Sequence, residues 1–266
     1  MPRRDLADAA VIVTGAAGGL GLAVAQRFAR SGARVALLDI DTARLGDAAA
    51  TIPGCLPVTC DLTDPGDCEE AIAEVTERFG GVDVLVNNAG LTHRSAFAET
   101  DPAVIRKVME VNYLGSVNIT KAALASITGR RGAIVVVTSV AGFAPVLGRT
   151  GYAGAKHALH GFFSTLRTEV RGSGVDVTIV SPTFVSTDMQ TRALGGDGAV
   201  TDHPQSRVGR QVDPAHVADR IYRATERRRR WVTVGLVGHV ARVVMPVAPV
   251  LYERLMARSL RSELDR

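Results

Sequence analysis

Short unbroken apolar runs alternate with longer stretches of helical periodicity along almost the whole chain. Ala9-Ala10-Val11-Ile12-Val13 is apolar throughout and stops at Thr14-Gly15, the pattern of a strand covered on both faces. Residues 19–30 then repeat apolar side chains at helical spacing through Leu20, Val24 and Phe28, and Ser31-Gly32 ends them. The same alternation predicts strands over 34–39, 56–59, 82–86, 133–138 and 175–180, with a last one over 231–234. Helices are predicted over 41–50, 66–79, 101–127, 152–171 and 213–226, the last opened by Asp213-Pro214. Repeated strand–helix units of this kind predict an α/β fold, a doubly wound parallel sheet of about seven strands with helices on both faces.

One segment breaks the rhythm. Residues 183–212 lack periodicity and carry Gly195-Gly196-Asp197-Gly198; a loop that long in a compact domain suits a lid or substrate loop. There is no linker, repeat or low-complexity tract, so the expectation is one domain over 1–236 followed by a C-terminal helical extension over 237–266.

Composition narrows the class little. The chain has 266 residues, 46% hydrophobic and 22% charged, as a soluble globular domain does. A net charge of +4 is too mild to suggest nucleic acid, and much of it sits in the run Arg227-Arg228-Arg229-Arg230. Cys55, Cys60 and Cys68 are odd in number and lack metal-ligand partners at a useful spacing, which reads as reduced thiols and no metal. The first residues hold no signal-peptide apolar core, and a cytoplasmic location is expected. Residues 231–251 are strongly apolar, with Arg254, Arg258 and Arg261 beyond them. Their length permits a membrane span, but Arg242 near the middle costs about 2.5–3.5 kcal/mol there, and Pro246 and Pro249 interrupt a helix. A spanning helix is therefore not expected. Three readings stay open: a helix over a substrate mouth, a subunit contact, or a basic amphipathic surface in peripheral contact with anionic lipid.

Candidate chemistry begins between the first strand and first helix. Thr14-Gly15-Ala16-Ala17-Gly18-Gly19-Leu20-Gly21 allows a tight turn whose backbone N–H groups approach a pyrophosphate at a helix N-terminus. Asp39 ends the second strand where an acidic group meets adenosine ribose hydroxyls, which favours NAD over NADP. No basic side chain in the glycine loop would offset that preference, and Arg44 is expected to face outward on its helix. The alternative role for Asp39 is to cap the second helix, a role that Asp41 could fill instead. Tyr152 and Lys156 are four residues apart, hence on one face of a predicted helix. An ammonium beside a phenol favours the phenolate and makes the tyrosine a usable acid/base near neutrality. Alone, such a pair more often marks a solvated helix face.

With Asp61-Leu62 after the third strand, Asn87-Asn88-Ala89-Gly90 after the fourth, Asn112 in the long helix and Ser139 after the fifth strand, the chain resembles the short-chain dehydrogenase/reductase family over nearly its whole length. The sheet expected is then Rossmann-like. The resemblance implies a catalytic tetrad of Asn112, Ser139, Tyr152 and Lys156. It implies coenzyme contacts from Gly15, Gly18, Gly19, Leu20, Gly21 and Asp39, from Asp61, Leu62, Asn88, Ala89 and Gly90, and from Tyr152, Lys156, Pro182, Val185 and Thr187. Tyr152 would exchange a proton with the substrate oxygen, Lys156 would lower its pKa and bind the nicotinamide ribose, Ser139 would hydrogen-bond the substrate oxygen, and Asn112 would hold a water of a proton relay. The family's usual Pro-Gly after the sixth strand is Pro182-Thr183 here, which puts the local geometry near the nicotinamide in question.

Substrate contacts are expected from Ser139, Phe143, Val146, Tyr152, Phe184 and Met189, with Val140, Ala144, Leu147, Thr92 and His93 nearby and His93 as a loop or rim residue. Their apolar character suggests a steroid-, terpenoid- or fatty-chain-like compound. The reading is an NAD-dependent oxidoreductase interconverting a secondary alcohol and a ketone; an NADPH-dependent ketoacyl-type reductase and a catalytically idle nucleotide-binding regulator are the alternatives. A homodimer or homotetramer, joined through helices 101–127 and 152–171, is implied by the resemblance.

Overall fold

In the computed structural model, residues 2–202, 206 and 208–263 are described; positions 203–205 and 207 of the expected substrate loop and 264–266 of the expected extension lie outside them. Seven strands form one sheet: β1 (Ala10–Thr14), β2 (Arg34–Asp39), β3 (Leu56–Thr59), β4 (Val84–Asn87), β5 (Ala133–Val137), β6 (Asp176–Pro182) and β7 (Trp231–Val234). Their order is β3-β2-β1-β4-β5-β6-β7, and every pair is parallel. The strands between the edges are buried on both faces, which is why they read as continuous apolar runs.

Alternate side chains feed two cores. Ala10 and Ile12 of β1 face helices α3 (Pro65–Phe79), α5 (Gly115–Gly129) and α6 (Thr150–Glu169), through Val75, Ile119, Ile127 and Phe163. Val11 and Val13 face α1 (Gly19–Ala29), α2 (Thr42–Ala50) and α7 (Pro214–Glu226), through Phe28, Leu45 and Ile221. Chain order reverses direction across the sheet between β1 and β4, and in doubly wound sheets a crevice for ligands opens there, beyond the strands' carboxyl ends. The fold is the single-domain, doubly wound Rossmann-like sheet the pattern predicts, with element ends shifted by one or two residues.

The long helix predicted over 101–127 is not uniform. It runs as α4 (Pro102–Met109), a π-helical turn over Glu110–Leu114, and α5. Periodicity survives a single wide turn, so the sequence does not reveal it; such turns recur at functional sites, and this one carries Asn112. Beyond β7 the chain forms α8 (Leu236–Val247) and α9 (Pro249–Ser259), which turn at Ala248 just ahead of Pro249. Among the described residues no helix is long and apolar enough to cross a membrane. Tyr252, Met256 and Leu260 of this segment pack on Val140 and Ala144 in a third, smaller core.

Candidate active site

The glycine loop joins β1 to α1 at the carboxyl edge of the sheet. A Cβ on Gly21 would stand 2.0 Å from the Gly15 carbonyl oxygen, so only glycine allows the loop to fold this tightly. Among the described residues no side chain caps α1 at Gly18, which leaves its first N–H groups to an anion. Thr14 Oγ1 accepts from the backbone N–H of Asn88 and of Ala89, both at 3.0 Å, and Asn88 Nδ2 donates to Thr14 O at 2.9 Å. These bonds tie the Asn-Asn-Ala-Gly turn to the glycine loop.

Asp39 accepts from Ala17 N at 3.0 Å and Asp41 N at 3.1 Å. Asp41 caps α2 by accepting from Arg44 N at 3.1 Å, so Asp39 is not the cap. Arg44 corrects an expectation. It turns inward and donates from Nη2 to Asp188 Oδ2 at 2.6 Å, because the segment after Thr187 brings a carboxylate across to it.

The glycine loop, Asp39, Arg44, Asp188 and the Asn-Asn-Ala-Gly turn line one cavity of ≈ 470 Å³. Its wall includes Gly15, Gly18, Gly19, Leu20 and Gly21, then Asp39, Asp61, Leu62, Asn88, Ala89 and Gly90. Pro182, Val185 and Thr187 continue it, with Ser139, Tyr152, Lys156, Val146, Phe184 and Met189 at the other end. Ser139, just past β5, accepts from Ala141 N at 3.2 Å. Tyr152 is in the first turn of α6, and Lys156 lies one turn on. Lys156 Nζ donates to Val137 O at 3.0 Å and stands 5.7 Å from the centre of the Tyr152 ring. Burial lowers the Lys156 pKa to about 8. Burial also raises that of Tyr152, while a hydrogen bond from Ser139 and the charge of Arg149 pull it back in part.

Asn112 is buried behind Gly90. A Cβ on Gly90 would lie 3.0 Å from Asn112 Oδ1 and 3.7 Å from Lys156 Nζ, so the two side chains meet at that glycine. Both ends of the Asn112 amide are spent on Leu91, accepting from its N–H at 2.7 Å and donating to its carbonyl at 2.9 Å.

Several expected substrate contacts do not reach the cavity. Phe143 packs edge-on against Trp231, with centroids 5.5 Å apart, and against His160 at 6.0 Å; the apolar cluster beneath α8 draws it away. Ala144 is buried beside it, and Leu147 packs against the same cluster. His93 is not a rim residue: it is fully buried, and its Nε2 accepts the Gly151 N–H at 2.9 Å, which anchors the start of α6. Thr92 is buried with it. Conversely, Val208, Val237, Tyr252, Met256 and Leu260 line the cavity without having been singled out. For Val237, Tyr252 and Met256 the signal was apolar spacing along the last helices; Val208, in the loop before α7, had none. Arg149 lines it too, and its signal was one charge after Val146-Leu147-Gly148.

Thr183, where glycine is usual, lies outside the left-handed region; its N–H donates to Val234 O at 3.0 Å and extends the β6–β7 pairing. The adjustment falls on Gly235, whose φ is 99° and whose Cβ would meet Thr183 Oγ1 at 2.2 Å.

A doubly wound sheet with a glycine loop, an acidic group at the end of β2 and a Ser–Tyr–Lys cluster in one cavity defines a nucleotide-dependent oxidoreductase. The chain belongs to the short-chain dehydrogenase/reductase family: the family model for short chain dehydrogenase matches residues 9–195. Dehydrogenase/reductase SDR family member 7B of Rattus norvegicus is 37% identical over 97% of this chain and 83% of its own length. The protein of that name from Bos taurus is 36% identical over 98% and 84%, and a family protein 7-like sequence of Drosophila melanogaster 33% identical over 96% and 82%. Among solved structures, a short-chain dehydrogenase/reductase from Burkholderia phymatum in complex with NAD superposes with a TM-score of 0.81 at 21% identity, covering 93% of this chain and 96% of that one. The chain is thus an oxidoreductase acting on the CH–OH group of donors.

Proposed function

We propose that the protein is an NAD-dependent oxidoreductase interconverting a secondary alcohol and a ketone on a hydrophobic, steroid-, terpenoid- or fatty-chain-like substrate. The observation that carries this reading is the single cavity that has Asp39 and the glycine loop at one end and Ser139, Tyr152 and Lys156 at the other. The donor set fits a dinucleotide: free helix N–H groups for the pyrophosphate, and a carboxylate at the ribose position that repels a 2′-phosphate. Bound there, the nicotinamide supplies the hydride acceptor or donor. In oxidation the Tyr152 phenolate takes the hydroxyl proton as the hydride leaves carbon; in reduction its O–H returns that proton to the ketone oxygen. Ser139 hydrogen-bonds the same oxygen and stabilises charge as it develops. The Lys156 ammonium favours the phenolate and offers donors to the nicotinamide ribose. Asn112, with its side chain committed to Leu91, supports the relay by positioning Leu91 and the π-helical turn. Apolar Val146, Phe184, Met189, Tyr252 and Met256 supply the substrate wall.

Turnover of a panel of hydrophobic secondary alcohols and ketones, followed by nicotinamide absorbance with NAD(H) and NADP(H), tests the reading. NAD is expected to be preferred, and Asp39→Ser to shift the preference at least tenfold toward NADP. Turnover with NADP alone would refute the role of Asp39.

The C-terminal segment carries a second part of the proposal. Leu236, Val240, Val243 and Val247 of α8 form one stripe at helical spacing, and Val250, Leu251 and Leu255 of α9 join it; each is more than half exposed. Exposed Arg254, Arg258 and Arg261 continue from it. A two-fold contact between copies would bring these arginines onto themselves, whereas an anionic bilayer accepts both the apolar stripe and the cations. The inward side of the same helices lines the cavity, so a bilayer-dissolved substrate would enter directly. Co-sedimentation with vesicles containing phosphatidylserine is expected, and Val243→Glu with Val247→Glu is expected to abolish it. Self-association is assigned instead to the outer faces of α5 and α6, and sedimentation velocity showing only monomer would contradict it.

A further inference from the structure

The charge of Arg149 favours the Tyr152 phenolate from a distance, but the alcohol–ketone chemistry makes no use of its hydrogen-bond donors. Arg149 lies three residues ahead of Tyr152 and lines the cavity together with Phe184 and Gln190. The residue is only 4% exposed. Nη1 reaches Gln190 Oε1 at 3.5 Å, the guanidinium carbon is 5.9 Å from the centre of the Phe184 ring, and Nη2 is buried with no acceptor. Among the described residues none of the ion pairs includes Arg149. Buried Glu263 acts on it only from beyond contact distance.

This placement is unfavourable on three counts. A buried cation without a carboxylate in contact loses its hydration and regains little. Arg149 is the N-cap residue of α6, where the helix dipole is already positive. Arg94 adds a second cation nearby, and burial, chiefly, lowers the Arg149 pKa from the usual arginine value, with Glu263 and Tyr152 opposing the shift and Arg94 adding to it. A methionine would fill the space without any of these penalties, so packing does not account for the residue.

We infer that Arg149 receives an oxyanion, a carboxylate or a phosphate, carried on the substrate's apolar body a few bonds from the carbon that is oxidised or reduced. The inference rests on the alcohol–ketone reading above and narrows its substrate class. A guanidinium presents donors in a planar fork that takes such a group bidentately. Positions 149 and 152 are neighbours across one turn, so one small molecule spans the oxyanion site and the reacting oxygen. The apolar remainder of the substrate then lies along Phe184, Met189, Tyr252 and Met256.

The test uses the full chain with NADH and three aliphatic ketones of equal length: one bearing a carboxylate, one a phosphate monoester, one neither. Wild type is expected to favour one oxyanionic ketone over the neutral one in kcat/KM, and the better of the two arms identifies the group. In Arg149→Met the ratio of oxyanionic to neutral kcat/KM is expected to fall about a hundredfold, the size expected when one partner of a buried charge pair is removed. Arg149→Lys should restore part of it. A wild type that favours the neutral ketone, or a ratio that Arg149→Met leaves unmoved, would overturn the inference, because a purely structural role affects all three alike. NADH titration of each variant verifies that the coenzyme site is intact. If wild type binds NADH and reduces none of the ketones, the alcohol–ketone reading fails separately, and melting temperature then decides for Arg149. Stabilisation by a fatty carboxylate or alkyl phosphate that disappears in Arg149→Met upholds it; stabilisation by the matching alkanol alone, or by none of the three, rules it out.

Discussion

Lys156 and Tyr152 carry opposite electrostatic burdens in the same wall of the cavity. Burial lowers the Lys156 pKa to about 8 and raises that of Tyr152. The ammonium is therefore present below about pH 8 and lost above it. Ketone reduction needs that cation and the phenol proton together, so kcat/KM for reduction should fall as pH rises through about 8. Lys156→Met should lower activity by at least about a hundredfold, in the range typical of acid–base catalysis, and remove that inflection; an unchanged profile would contradict the assignment. Tyr152, Lys156, Ser139 and the glycines were legible because their chemistry depends on spacing along one element or on the end of a strand. Arg44 was not. Its direction is set by Asp188, which no local pattern links to it. Nor was the burial of His93, which follows from the Gly151 N–H that its ring accepts.

Elements were legible where one period governs a stretch and less so where two segments adjust to each other. Asp41, Asp64, Asp101 and Asp213 each cap a helix by accepting a backbone N–H, as helix-start patterns predict. The π-helical turn at Glu110–Leu114 leaves no periodic trace, and the Phe143 side chain follows the aromatic cluster of Trp231 and His160 instead of the cavity. The β6–β7 end shows such mutual adjustment, with Thr183 in ordinary backbone and Gly235 at a positive φ against it. Gly235→Ala should destabilise the protein by about 1–3 kcal/mol, from the left-handed backbone and the clash together. Adding Thr183→Gly removes only the clash, so the double variant should recover part of the loss. Urea unfolding of wild type, Gly235→Ala, Thr183→Gly and the double variant measures this, and strict additivity would contradict the contact.

Across the whole molecule, one fully buried and one half-buried histidine, His93 and His160, are expected to set the acid limit of stability. Burial, chiefly, lowers the pKa of both His93 and His160 from 6.5 to about 4. In the unfolded chain each imidazole takes a proton below about pH 6.5; in the folded protein it does so only near 4. Between these values unfolding takes up protons, so stability should fall as pH drops from 6.5 toward 4. For His93, fully buried, the loss at pH 5 is about 2 kcal/mol. His160→Gln should flatten the decline in urea midpoint between pH 7 and 5, and an unaltered slope would show that other groups govern it. The carboxylates with lowered pKa, Asp83, Asp188 and Asp219, take effect only at lower pH. At this scale the doubly wound sheet was legible from alternation alone, whereas the two faces of the last helices were not. The apolar excess of residues 231–251 states that surface must be covered; only the fold divides it into a cavity wall and an exposed stripe.

The central claim is that Tyr152 moves the proton in an NAD-linked alcohol–ketone exchange. Single-turnover reduction of a hydrophobic ketone by bound NADH, in wild type and in Tyr152→Phe, tests it most directly. The account predicts equal NADH affinity in the two proteins and a hydride-transfer rate at least about a hundredfold lower in the variant. Equal rates with equal NADH affinity would contradict it.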